Sequence, residues 1–87
     1  MTLRTTRWKL SHLADGARDL AAEASAKHMT ATARKARHVV ATLVGASAQL
    51  DTDGPAYLDA AEAFAEAGAE TLADIACAIG QCTHARA

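Results

Sequence analysis

The sequence predicts an all-α fold, a small bundle of two or three helices in a single domain, and three observations point to it. Apolar residues make up 51% of the 87 residues, and about half of them are alanine, the best helix former. Aromatics are 3% of the chain and there is one proline, so the β-branched and aromatic stock of a pleated sheet is missing. Apolar positions recur in alternating steps of three and four residues, the period of a helix face. At this length one domain, 1–87, with short flexible termini, is expected.

The first helix is expected over about residues 7–27. Leu10, Leu13, Ala17, Leu20 and Ala24 form its apolar seam, and Trp8 is read as the anchor that packs its first turn. A second helix, about 29–50, carries Met29, Ala33, Ala36, Val40, Leu43, Ser47 and Leu50. On one continuous helix these two seams would lie roughly 130° apart, at about 100° per residue. A kink or tight break is therefore expected near residues 25–30, although that stretch holds no Gly, Pro, Asn or Asp. The alternative is one long helix whose stripe faces two neighbours. Asp15-Gly16 is a weaker candidate break.

The plainest boundary is Leu50-Asp51-Thr52-Asp53-Gly54-Pro55, where Asp and Gly supply turn chemistry and proline suits a first helical turn. A third helix should follow over about 55–80. Leu58, Ala61, Ala65, Gly68, Leu72, Ile75 and Ile79 make an unbroken seam, and Gly80 suits a C-terminal cap. A short link makes the last two helices antiparallel neighbours. A core built so largely of alanine buries little area per residue. Completion of the bundle by self-association is therefore expected.

The net charge of −1 hides a polarity. Residues 1–50 carry eight Lys and Arg against three Asp and Glu, net +5, and residues 51–87 carry one against seven, net −6. Either the halves neutralise each other or one half meets an oppositely charged partner. On α-helical spacing, Asp59, Glu62, Glu66, Glu70 and Asp74 share one face opposite the third seam. A solvated outer face is the simpler reading of that row, and a docking surface for a basic partner the sharper one. A divalent-metal site ranks below both, because no Glu-x-x-His pair accompanies it.

The basic cluster Lys27, His28, Arg34, Lys35, Arg37 and His38 fits an electrostatic footprint for nucleic acid. A helix-turn-helix template laid over residues 20–34 fits poorly. Ser25 stands where the turn wants glycine, and Arg34 where the second helix needs an apolar residue. A solvated or internally paired face is the simpler reading. His12 and His38 are expected at the surface.

No segment approaches the roughly 18 apolar residues of a membrane span, and the basic N-terminus lacks the apolar run of a secretory signal. A cytoplasmic location, no membrane contact and reduced Cys77 and Cys82 are the resulting expectations. Cys77, Cys82 and His84 would suit a soft metal such as Cu(I) or zinc, but ordinary small residues near a chain end are the better reading. No phosphate loop, nucleophile elbow or zinc-protease motif occurs, so neither catalytic residues nor a cofactor are expected.

The reading is a non-enzymatic helical interaction module that self-associates and acts as an adaptor or regulator. Arg34, Lys35, Arg37, Glu62, Glu66, Glu70 and Asp74 are its candidate contacts with a second copy or another protein. A small DNA-binding regulator using residues 27–38 is the second reading. A helical oligomeric enzyme gathering Arg7, Arg18 and Lys27 around an anionic substrate is the third.

Overall fold

The computed structural model describes residues 2–80 and consists of three helices: α1 Leu3–Ala26, α2 Thr30–Asp53 and α3 Leu58–Ile79. Helix α1 starts earlier than the seam suggested. Thr2 supplies the reason: its hydroxyl oxygen accepts from the Thr5 amide at 3.1 Å, as an N-cap does. The helix runs straight through Asp15-Gly16, where Arg18 pairs with Asp15 at 2.9 Å.

The expected break occurs at Lys27-His28-Met29 without a glycine. His28 takes the left-handed conformation at φ 60°. Its amide donates to Ser25 and the Met29 amide donates to Ala24 at 2.8 Å. This is the two-bond Schellman closure, with histidine in the position that glycine usually fills. Half-buried Met29 packs on the core beside it. A link this short folds α2 back along α1. At the far end Arg7 Nε meets Asp51 Oδ1 at 2.7 Å, so the two helices are antiparallel over their whole length.

Helix α2 continues to Asp53, three residues past the expected end. Gly54, at φ 60° and ψ −137°, breaks it in a conformation open in practice to glycine alone. A single 3₁₀ turn, Gly54–Tyr57 with Pro55 in its first positions, then leads into α3. Gly80 ends α3 in the left-handed conformation at φ 101°, as expected. Lys27 adds a second cap there: its ammonium donates to the Ile79 carbonyl at 2.8 Å and lies 3.4 Å from Glu23. A cation at a helix C-terminus opposes the helix dipole as well as satisfying an orphan carbonyl. This bond joins the α1–α2 turn to the end of α3.

One core runs between the three helices. The α3 seam is as read: Ala61, Ala65, Gly68, Leu72, Ile75 and Ile79 are buried and Leu58 is half-buried. The other two seams are corrected in phase. On α1 the buried row is Thr6, Leu10, Ala14, Ala17, Ala21 and Ala24, with Leu13 and Leu20 half-buried at its edge. On α2 it is Ala33, Ala36, Val39, Leu43, Ala46 and Leu50, with Val40 and Ser47 at its edge. Small residues sit at the centre of the α1 row because the helices approach closely there, and the leucines flank them. The same closeness appears between α2 and α3, where a Cβ on Gly68 would lie 2.9 Å from Leu43 Cδ2.

Trp8 is not a packing anchor. It is 63% exposed and stacks on His12, with ring centroids 4.9 Å apart and planes 7° from parallel. It lies two residues from both Thr6 and Leu10, about 200° around the helix from each, so it points away from the core.

Candidate interaction surface

The three-helix arrangement decides which faces remain open. Helix α3 lies against one side of the α1–α2 pair and leaves the other side uncovered. There the facing helix walls form an open groove of about 610 Å³. Helix α1 contributes Arg18, Ala21, Ala22 and Ser25, and α2 contributes Arg37, Val40, Ala41 and Val44. A second hollow prolongs the groove past Arg18 and Val44, between Ser11 and Ala14 on one wall and Ser47 and Ala48 on the other. Its floor is methyl and hydroxymethyl groups, so a guest helix can come close to the backbone. Val44 is 44% exposed in its midst, a β-branched side chain with no covering element.

Charge along this groove is mostly positive. Arg18 and Arg37 stand on opposite walls near its middle, and Arg7, paired with Asp51, stands at one end. Arg18 is paired with Asp15, and Arg37 has no ion pair among the described residues.

The expected basic cluster does not form one face. Lys27 is engaged with Ile79 and Glu23, and Arg34 points to solvent. Lys35 and His38 line a different hollow, between α2 and α3, beside Phe64, Gly68 and Thr71. Arg37 lines the α1–α2 groove. The three side chains Arg34, Lys35 and Arg37 thus fan out around one turn of α2. The α1–α2 connection is a tight antiparallel hairpin, whereas a helix-turn-helix crosses at about 90–120°. Arg7, Arg18 and Lys27 are each tied to a different partner and do not converge on one pocket.

The acidic row is on one side of α3, as the spacing predicts. Asp59, Glu66, Glu70 and Asp74 are exposed, and Glu62 is half-buried at the edge nearest α1. Glu62, Glu66 and Glu70 border a hollow between α1 and α3 together with Lys9 and Leu13. Thr6 lies beneath it, fully buried, with no hydrogen-bond partner for its hydroxyl. Among the described residues Asp59, Glu66, Glu70 and Asp74 form no ion pair, and the helix that carries them has no Lys, Arg or His. Arg7–Asp51 is the one ion pair, among the described residues, that joins the basic half of the chain to the acidic half. Among the described residues the basic half of the chain therefore leaves Asp59, Glu66, Glu70 and Asp74 without an ion pair.

No three His, Cys, Asp or Glu side chains converge on a metal-sized space among the described residues. Cys77 is half-buried and disulfide-bonded, not the reduced thiol that was expected. That expectation rested on an assumed compartment, which the fold does not encode. Cys82 and His84 lie outside the described residues. No helix among the described residues is long and apolar enough to cross a membrane.

The sequence reading found Arg37 and the acidic row, named Arg18 only for an anionic pocket with Arg7 and Lys27, and missed Val44, Ala41 and Ala22. One signal was available. The adjacent valines Val39 and Val40, followed by Val44, cannot all lie on one narrow seam, so α2 carries an apolar stripe wider than a single neighbour needs. Comparison with protein-family models, curated proteins and solved structures finds no match for the chain.

Proposed function

We propose that this protein is a non-enzymatic α-helical interaction module that self-associates and serves as an adaptor or regulator. The observation that carries the reading is the uncovered side of the α1–α2 pair. It is a groove running about four helical turns, floored by Ala, Ser and Val, with Val44 exposed and arginines at its rim. A helix of matching shape would bury Val40 and Val44 and add a fourth element to the bundle. Four helices enclose a core on all sides.

The unbalanced charge supports the same reading. A surface that keeps Arg37 on one face and four carboxylates on another, without pairing them internally, has electrostatic complementarity available for association.

Light scattering at micromolar concentration tests the proposal. The expected mass is at least two chains, and Val44→Glu is expected to lower it without loss of helical circular dichroism. A stably folded single chain of the natural sequence at that concentration overturns it.

A further inference from the structure

Resting on the proposed self-association, we infer that the occupant of the α1–α2 groove is the acidic outer face of α3 from a second copy, so that the contact is heterologous, groove to back. Three observations select this occupant over a groove facing its own twin.

The first is charge. A groove-to-groove contact brings the Arg18 and Arg37 rims of two copies together, which is repulsive. The α3 face offers Asp59, Glu66, Glu70 and Asp74, none of them in an ion pair among the described residues. Their spacing also matters. At about 1.5 Å per residue the four-residue steps from Glu66 to Glu70 and from Glu70 to Asp74 are about 6 Å each. In the antiparallel register set by Arg7–Asp51, Arg37 stands level with about Ala21, some three residues or about 4.5 Å along the axis from Arg18 and on the opposite wall, close to the step of about 6 Å from Glu66 to Glu70. Two acid–arginine pairs can form at once.

The second is shape. Between its carboxylates the outer face of α3 carries Ala63, Ala67 and Ala73, all exposed. A helix with such short side chains can settle to the 8–10 Å separation of packed helices over a floor of Ala22, Ala41 and Val44.

The third is length. The acidic row from Asp59 to Asp74 spans about 22 Å, and the groove from Ser11 to Ser25 about 21 Å.

A heterologous contact has a consequence that an isologous one lacks. The pair as a whole keeps one free groove and one free α3 face, so assembly either closes into a ring or continues as a chain. It also gives a decisive mixing experiment. The groove is blocked by Arg37→Glu with Val44→Glu, and the α3 face is reversed by Glu66→Lys with Glu70→Lys. All four positions are exposed, and circular dichroism verifies that each double variant keeps its helix content.

In light scattering, the natural protein is expected at two chains or more, with mass rising with concentration and falling with added salt. Each double variant alone is expected at one chain. Their equimolar mixture is expected to regain two chains or more, because an intact α3 face meets an intact groove and the two altered surfaces, now of opposite charge, can also meet. If the Glu66→Lys/Glu70→Lys protein assembles like the natural one, or the mixture stays at one chain, the groove takes another occupant. The heterologous contact is then overturned, while self-association stands. If the natural protein is itself a single chain, both fall.

Discussion

Gly68→Ala should change the sign of its effect with the residue at position 43. Adding a methyl to a helical glycine favours the folded helix by about 1 kcal/mol, through the smaller backbone entropy of the unfolded alanine. At Gly68 that methyl would meet the forked end of Leu43, with Cδ2 at 2.9 Å and both Cδ1 and Cγ at 3.5 Å. Leu43 is 1% exposed, so its forked end must shift against close neighbours to make room. Overpacking of this kind costs about 1–3 kcal/mol. The net for Gly68→Ala is a loss of about 1 kcal/mol.

Leu43→Ala alone should cost about 2–5 kcal/mol through the cavity it leaves. In that background the new methyl at position 68 meets no obstacle and fills part of the space, so Gly68→Ala should stabilise by about 1 kcal/mol. The cycle then gives a coupling of about 2 kcal/mol between positions on different helices. Urea unfolding of the four proteins, followed by circular dichroism at one fixed protein concentration, measures it. Equal effects of Gly68→Ala in both backgrounds would show that Leu43 does not set the α2–α3 separation.

Other outcomes follow from single positions. Leu72→Ala should cost about 2–5 kcal/mol in the same assay, and Glu70→Ala no more than about 0.5, since one is buried and the other exposed. His28→Gly should stabilise by about 0.5–1 kcal/mol by relieving the left-handed backbone, and no gain in the denaturation midpoint would argue against the Schellman closure. Thr6→Val keeps shape and removes a buried hydroxyl that has no partner. The midpoint should rise by the equivalent of about 1 kcal/mol, and a fall would mean that the hydroxyl is satisfied in solution. Duplex DNA should show no measurable binding at about 50 mM salt. Steeply salt-dependent binding that Arg34→Gln, Lys35→Gln and Arg37→Gln together abolish would replace the proposed function with a DNA-binding one.

Helix α3 was legible in the sequence because its pattern is unambiguous: carboxylates occupy the outer face and Leu, Ile, Ala and Gly the inner one. Helices α1 and α2 were legible in number and extent but not in phase. Alanine fits a core and a surface equally, so the periodicity was read from Leu13, Leu20 and Val40, the larger residues. The fold instead centres on Ala14, Ala21 and Val39, because helices packed this closely place small side chains at the line of contact. The turn at residues 27–29 was located by the phase change alone. Its chemistry was hidden because a histidine occupies the glycine position. The acidic row could be read from spacing, whereas the α1–α2 groove could not. Which side of α2 stays uncovered depends on where α3 lands, and that is decided by Gly54 and by the Lys27–Ile79 bond.

The Lys27–Ile79 bond also fixes where the described chain enters and leaves. Three helices are an odd number, so residue 2 emerges at the Asp51 end of the bundle and residue 80 at the Lys27 end. A helix of this length spans about 36 Å, and the molecule is 39 Å along its longest axis. Fluorophores attached at residues 2 and 80 are held apart by about the full height of the bundle. Tension applied between them pulls α1 and α3 past each other in shear. It must break their shared packing all at once and cannot peel it turn by turn. Spanning from residue 80 back to residue 2 takes about ten extended residues, since each reaches about 3.3–3.6 Å.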